Sequence, residues 1–199
     1  MPKIVDHDAR RAELLAAVSR VVRRRGLEGA TIREIAREAG CSSGVLAHYF
    51  RDKDDILRSA CDLAVARIEE RIGRIRARLG GIVALREVLL ELLPVDAARA
   101  RGVHIEICTW SQVLCTDRAR REHARWFDAR RQILVDLLEE ALRRGEVRAD
   151  LDVTGAGVAL LSMADGLAAN ALMHPDRVTR ERQRQTVDIA LLAIALPPS

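Results

Sequence analysis

The chain has 199 residues, of which 49% are hydrophobic and 31% charged, so it can bury a core as one compact unit or two small ones. Residues 1–53 hold 11 lysines and arginines against 7 acidic residues, and the rest of the chain is balanced. The whole net charge of +4 therefore lies at the N-terminal end, which indicates a surface there that meets an anionic partner. The start carries no apolar run and the four cysteines form no Cys-x-x-Cys pair, so we expect a cytoplasmic protein without a signal peptide.

The hydrophobic pattern is helical along the whole chain. Aromatic residues make up only 3% and no two-residue alternation is evident, which favours an all-α fold. A first helix is predicted over residues 8–25, and Gly26 is expected to end it. Its single apolar stripe consists of Leu14, Leu15, Val18, Val21 and Val22.

A second helix begins at Thr31, where the spacing to Glu34 is that of a capping box. The hydroxyl is expected to accept a hydrogen bond from the Glu34 amide, and the Glu34 carboxylate one from the Thr31 amide. Gly40 ends this helix, and Ser42 caps a third short helix that runs to about Tyr49. The inward side of the second helix is predicted to consist of Ile32, Ile35, Ala36 and Ala39.

The two short helices, joined through Gly40, Cys41 and Ser42, have the form of a helix-turn-helix. A chain that reverses within three or four residues needs a glycine that tolerates positive φ, and an immediate restart needs a hydroxyl cap. The third helix is then able to enter the DNA major groove with its N-terminal residues at the base edges. An ordinary helical hairpin in a bundle has the same pattern, so the pattern alone leaves both interpretations open.

Beyond the turn, Asp52 caps a fourth, long helix that Gly80 and Gly81 interrupt. Further helical stretches are predicted near residues 82–93, 97–116, 117–144, 152–173 and 177–196. Residues 153–173 are the most apolar, but they include Asp165 among other polar residues. We therefore predict a buried helix there and no contact with a membrane.

The N-terminal residues closely resemble the signature of the tetracycline-repressor (TetR) family. The matching positions are Gly26, Thr31, Ile32, Ile35, Ala36, Ala39, Gly40, Cys41, Ser42, Gly44, His48, Tyr49, Phe50, Lys53 and Leu57. The resemblance implies about nine helices, with a DNA-binding head in residues 1–55 and a ligand-binding and dimerisation bundle in residues 56–199. It also implies a homodimer that binds a double-stranded DNA operator.

The DNA contacts of the family carry over to nine positions, by resemblance. They are Thr31, Arg33, Ser42, Ser43, Gly44, Ala47, His48, Tyr49 and Lys53. Thr31, Tyr49 and Lys53 correspond to phosphate contacts, and Arg33 to a base or phosphate contact. Two positions depart from the family pattern: Cys41 replaces a common valine, and Ala47 replaces a common tyrosine. A methyl group cannot hydrogen-bond to a base, so base reading is expected to depend on Ser43, His48, Arg33 and DNA shape.

A second resemblance, in residues 106–110 and 160–167, is to the choline-sensing, BetI-like branch of the family. The residues predicted to face the bundle interior and bind an effector are Glu106, Trp110, Trp126, Met163 and Asn170. For Trp110 and Met163, the alternative to effector binding is that both only pack in the hydrophobic core. Choline needs an aromatic cage, and aromatic residues are scarce beyond the head, so we expect a mostly apolar effector.

Helices 8 and 9 are predicted to form the homodimer, because helix 8 is rich in small residues and helix 9 in aliphatic ones. Two-fold symmetry places two recognition helices about one DNA turn apart, so the operator is expected to be a near-palindrome. An effector that favours another separation of the heads would release the DNA, as a repressor requires.

Two alternatives to this regulator remain open: a thiol redox-responsive regulator, and a DNA-binding regulator without a small-molecule ligand. Cys108 and Cys115 lie seven residues apart on one predicted helix, too far for a disulfide between them. The five histidines show no metal-ligand spacing, and no nucleophile motif occurs. We therefore expect no enzymatic activity, no metal and no cofactor.

Overall fold

The computed structural model describes residues 7–196, which form nine α-helices and, outside them, one isolated antiparallel bridge between Val147 and Ala195. In chain order the helices are α1 (His7–Gly29), α2 (Ile32–Glu38), α3 (Ser43–Tyr49), α4 (Lys53–Arg76), α5 (Gly81–Glu91), α6 (Ala97–Cys115), α7 (Asp117–Arg143), α8 (Val153–Met173) and α9 (Arg180–Leu192). The all-α prediction is confirmed.

The predicted caps position the three head helices. Thr31 Oγ1 accepts a hydrogen bond from the Glu34 amide at 3.3 Å, and Ser42 Oγ accepts one from the Val45 amide at 3.3 Å. Asp52 Oδ1 accepts from the Asp55 amide at 2.7 Å. Each side chain satisfies an amide that has no partner inside its own helix. Gly40 has φ 63°, so the turn between α2 and α3 does use the left-handed region.

Two local predictions need correction, and a third is confirmed. The Glu34 carboxylate does not return to the Thr31 amide: it pairs with Arg25 and Arg37, while the Thr31 amide donates to the Gly29 carbonyl. The predicted stop at Gly26 is confirmed: its φ of 70° and ψ of 179° are non-helical and kink the chain, and a short second helical segment follows as far as Gly29. Ile32 does not point inward, because 39% of it is exposed at the start of α2.

Two apolar clusters divide the chain, and α4 belongs to both. Its first half contributes Ile56 and Leu57 to the head cluster with α1, α2 and α3, and its second half contributes Ile68 and Ile72 to the cluster formed with α5, α7, α8 and α9. The head cluster extends along α4 as far as Ala64. The domain boundary after residue 55 stays a prediction, since the packing passes from one cluster to the other farther along the helix.

Helix α8 is long and apolar enough to cross a membrane by length and composition alone. In the structure one of its faces packs into the bundle through Leu160, Leu161 and Ala164, against α7 and α9. The prediction of a buried helix is therefore right for one face only. The other face leaves Val158 and Met173 exposed.

At the Gly80–Gly81 break between α4 and α5, a carboxylate from a distant part of the chain approaches the backbone closely. Gly81 has φ 58°, and the Glu146 carboxylate beyond α7 accepts a hydrogen bond from the Ile82 amide at 2.7 Å. A Cβ atom at Gly81 would collide with that carboxylate. Gly73, on the exposed side of α4, instead has open space around its missing Cβ.

The two glycines should therefore respond in opposite directions to alanine. Gly81→Ala is expected to lower the free energy of unfolding by about 1–2 kcal/mol from the left-handed backbone alone. Gly73→Ala should raise it by about 0.5–1 kcal/mol, since alanine is the better helix former. Urea denaturation of both variants checks this. A neutral result at Gly81 would contradict the described turn.

Candidate nucleic-acid interface and effector domain

The recognition helix α3 presents a small polar face to solvent. Ser43, Gly44, Ala47 and His48 are all exposed, as is Ser42 at the cap. The opposite side is held in the head by Leu46, which is 1% exposed, and by Phe50 just after the helix. The predicted exposed face is therefore present, and its side chains are free to approach a partner from outside.

Two other helices carry further predicted contact residues at their N-terminal ends. Thr31 and Arg33 are exposed at the start of α2, and half-buried Lys53 begins α4. The Lys53 ammonium donates a hydrogen bond to the Glu28 carbonyl at 3.2 Å, in the segment that leads into α2. Lys53 thus ties the start of α4 to the last turn of α1, just before α2 begins. Free amides at both helix starts and the lysine charge are suited to a phosphate.

Tyr49 lies at the end of α3 in a group of rings. Its ring centroid is 5.3 Å from that of His48, edge to face, and 5.6 Å from that of His7 on α1. Arg11, also on α1, lies 5.1 Å from the Phe50 ring centroid and donates a hydrogen bond to Ser59 Oγ at 2.8 Å. The sequence interpretation missed His7 and Arg11, which connect α1 to the recognition helix and to α4.

In the C-terminal bundle, Glu106 forms an ion pair with Arg130, a residue that the sequence analysis did not single out. Arg130 of α7 donates to both Glu106 oxygens, at 2.5 and 3.1 Å, and both residues are buried. The Glu106 carboxylate therefore does not face the interior as a free ligand group. A signal was available: Arg130 interrupts the apolar stripe of α7 between Phe127 and Leu134.

The buried Glu106–Arg130 pair also influences the pKa of Asp165 on α8. Burial raises the pKa of its carboxyl to about 6, and the negative charge of Glu106 adds to the rise while Arg130 opposes it. This half-buried environment suits a role of Asp165 in the packing of α8. We call these three charged side chains, which lie near one another on α6, α7 and α8, the Glu106–Arg130–Asp165 cluster; the ion pair within it is that of Glu106 and Arg130.

The other predicted effector residues lie in different surroundings. Trp126 lines a cleft of about 470 Å³ between the start of α4, the end of α6 and the start of α7, together with Cys61 and Thr109. Trp110 is half-buried against His123, with ring centroids 6.4 Å apart, and its indole N–H is buried without a partner among the described residues.

Met163 and Asn170 lie on α8, away from that cleft. Met163 is half-buried against the large apolar cluster. Asn170 is exposed, and its side-chain amide donates to the Gly166 carbonyl at 2.8 Å. The prediction that Asn170 faces the bundle interior is therefore wrong, because the helix turns this residue outward.

Two of the four cysteines, Cys61 and Cys108, lie in environments that do not activate a thiol. Burial raises the pKa of Cys61 to about 12, and burial also raises the pKa of Cys108. All four cysteines are free, with Cys115 exposed and Cys41 half-buried beside the head cluster. Because the thiolate is the reactive form, burial makes Cys61 and Cys108 poor candidates for a redox switch.

Comparison with known proteins agrees with this architecture. The family model "Bacterial regulatory proteins, tetR family" matches residues 14–60, and "BetI-type transcriptional repressor, C-terminal" matches residues 83–196. The HTH-type transcriptional regulator PksA of Bacillus subtilis (strain 168) is 31% identical over 193 residues, covering 94% of this chain and 90% of that protein.

Solved structures show the same fold. A transcriptional regulator from Rhodococcus sp. Rha1 superposes with a TM-score of 0.81 and 26% identity, covering 94% of this chain and 99% of the other. A regulator from Saccharomonospora viridis, solved in complex with choline, has a TM-score of 0.84 and 22% identity over 96% of this chain and 100% of the other. This chain therefore belongs to the TetR family of DNA-binding transcriptional regulators, with a C-terminal part of the BetI type.

Proposed function

We propose that the protein is a homodimeric repressor that holds two heads on a near-palindromic operator and leaves it when a small molecule binds the C-terminal bundle. The observation that carries the proposal is the exposed face of α3, flanked by Thr31, Arg33 and Lys53. Ser43 and His48 are the polar side chains of α3 that face outward at base-reading positions. Lys53, Thr31 and Tyr49 have positions suited to the DNA backbone.

An uncovered apolar surface supports the homodimer. Val158 and Met173 of α8, together with Ile189 and Leu192 of α9, are exposed, and the last two are 64% and 74% exposed. Helices α8 and α9 contact each other, and Ile189 and Leu192, three residues apart, lie on the same side of α9. Adjacent exposed aliphatic side chains favour association with a second copy of this surface, as a two-fold interface requires.

The cleft beside Trp126 supports an effector site. Its volume of about 470 Å³ is typical of small-molecule sites, and it adjoins α4 close to Asp52 and Asp54 at the head. Its rim carries acidic and basic side chains, so an effector with an apolar part for Trp126 and polar groups for the rim fits it. The ring partner found for Trp110 is His123 and not a second tryptophan, so the aromatic cage that choline needs has little support among residues 7–196.

Lys53→Ala tests DNA binding most directly. We expect weaker binding to all DNA sequences alike, and a slope of log K against log salt that flattens by about 0.9 for each phosphate that the variant no longer neutralises. Fluorescence anisotropy with operator and unrelated duplexes over a salt series measures both. His48→Ala should instead alter sequence preference with the slope unchanged.

Arg143→Ala, an exposed charge deletion on α7, is the matched control and should leave both quantities unchanged. Since Lys53 also holds the Glu28 carbonyl, thermal unfolding of Lys53→Ala is measured in parallel. Lowered thermal stability with an unaltered salt slope would show that Lys53 only anchors the end of α1.

The double variant Ile189→Glu/Leu192→Glu should prevent dimer formation, because four like charges would face one another across the two-fold interface. Sedimentation equilibrium is expected to show monomers, and affinity for the near-palindromic operator should approach that for a half-site. Leu114→Glu places a charge at an 80% exposed leucine on α6 and should remain dimeric. A dimeric double variant would exclude this surface as the interface.

Trp126→Ala tests the effector site. The chain has two tryptophans, Trp110 and Trp126, so intrinsic fluorescence reports on the C-terminal bundle. A compound that releases the operator should quench this fluorescence. Trp126→Ala is expected to raise the concentration needed for release about tenfold, equivalent to about 1.4 kcal/mol, without altering the operator affinity of the free protein. Release at an unchanged concentration would place the effector elsewhere, and choline is expected to have no effect.

A further inference from the structure

A second cleft lies where the head meets the C-terminal bundle, between α1, α4 and α6. Its volume is about 400 Å³. The space remains open because the facing residues are small: Ala60 and Ala64 on α4, and Ala98 and Gly102 on α6. Leu15 and Leu63 complete an apolar floor. The cleft is distinct from the one beside Trp126, which lies between α4, α6 and α7.

Arginines dominate the rim of this cleft, which we call the arginine cleft. They are Arg20, Arg23, Arg67, Arg71 and Arg101, and among the described residues no aspartate or glutamate lines the cleft. Arg20 is neutralised by Glu38 at 2.6 Å, and Arg71 by Glu91 at 2.5 Å. The positive charge of the cleft therefore comes chiefly from the other three arginines.

Those three arginines come from three different helices: Arg23 from α1, Arg67 from α4 and Arg101 from α6. Within residues 7–196, none of them forms an ion pair or a hydrogen bond through its side chain, and all three are exposed. Three like charges around one concavity repel one another, and the repulsion is removed if an anion binds between them. Guanidinium groups also match phosphate and carboxylate oxygens in bidentate geometry.

The positive charge of Arg23 also affects the pKa of a neighbouring histidine, His104. His104 lies one turn beyond Arg101 on α6, and burial followed by the charge of Arg23 lowers the pKa of its imidazole. The positive charge of Arg23 on α1 therefore acts on α6, which places it close to this part of the cleft.

We propose that the arginine cleft binds a small anion with two or more negative charges, held jointly by Arg23, Arg67 and Arg101. The ligand class is an organic phosphate or a polycarboxylate, with its acid groups at the rim and its carbon skeleton over the alanine floor. Since α1 belongs to the head and α6 to the bundle, the bound anion joins the two units across α4. Binding is a property of the free protein and does not depend on the operator proposal.

Isothermal titration calorimetry at low ionic strength tests the site with inorganic pyrophosphate and, separately, with citrate. Wild-type protein should bind at least one of them, and Arg67→Gln/Arg101→Gln should weaken that binding by at least about tenfold, or about 1.4 kcal/mol. If pyrophosphate binds and citrate does not, the site selects phosphate groups. If both bind, the site recognises the negative charge of the ligand. All the substituted arginines are exposed, and circular dichroism confirms that each variant is folded.

Two further variants separate the cleft from general surface charge. Arg121→Gln/Arg143→Gln removes the same charge from exposed positions on α7 and should bind like the wild type. Ala98→Phe keeps every arginine but fills the space, and it should weaken binding as well.

Three results would overturn the proposal. The first is that neither anion binds. The second is that the two arginine double variants lose affinity equally, which would show attraction by net charge alone. The third is that Arg67→Gln/Arg101→Gln flattens the salt dependence of operator binding, which would assign these arginines to the DNA backbone.

Discussion

The continuity of α4 is the constraint on which the rest of the structure depends. Twenty-four residues run without a break from Lys53 to Arg76, a length of about 36 Å at 1.5 Å per residue. Ile56 and Leu57 fix one half of the helix in the head, and Ile68 and Ile72 fix the other half in the bundle. Because both halves are buried in separate clusters, a displacement in the bundle moves the end that carries Lys53.

Helix α6 makes a second connection between the two units, at one pair of adjacent residues. Ile105 is 1% exposed and packs in the head cluster, whereas Glu106 forms the buried ion pair with Arg130 of α7. A buried pair of charges is costly unless both partners stay in place, so it holds α6 against α7 in one arrangement. A change at the Glu106–Arg130–Asp165 cluster therefore acts one residue away from the apolar core of the head.

The same junction contains the two clefts, one on each side of α4 and α6. The cleft beside Trp126 reaches the start of α4, and the arginine cleft reaches α1. A ligand in either position contacts a helix of the head and a helix of the bundle together. Such a ligand alters the DNA-binding equilibrium only to the extent that it binds the two head orientations with different affinity. Both proposed binding sites therefore lie where the head meets the bundle.

Local signals in the sequence determined the helices and their limits. The caps at Thr31, Ser42 and Asp52 and the turn at Gly40 were correctly predicted, because each depends on atoms within three residues along the chain. The family signature lies in this same stretch, so the exposed face of α3 was also predicted.

Contacts between distant segments were decided only by the tertiary structure. Arg130 is a charge in an apolar stripe, and its role becomes clear only when α6 places Glu106 opposite it. The outward direction of Asn170 and the exposure of Ile32 follow from which side of each helix meets a neighbour, which helical spacing alone does not specify. The arginine cleft likewise exists because residues far apart in the chain, Arg23, Arg67 and Arg101, meet where small side chains leave space.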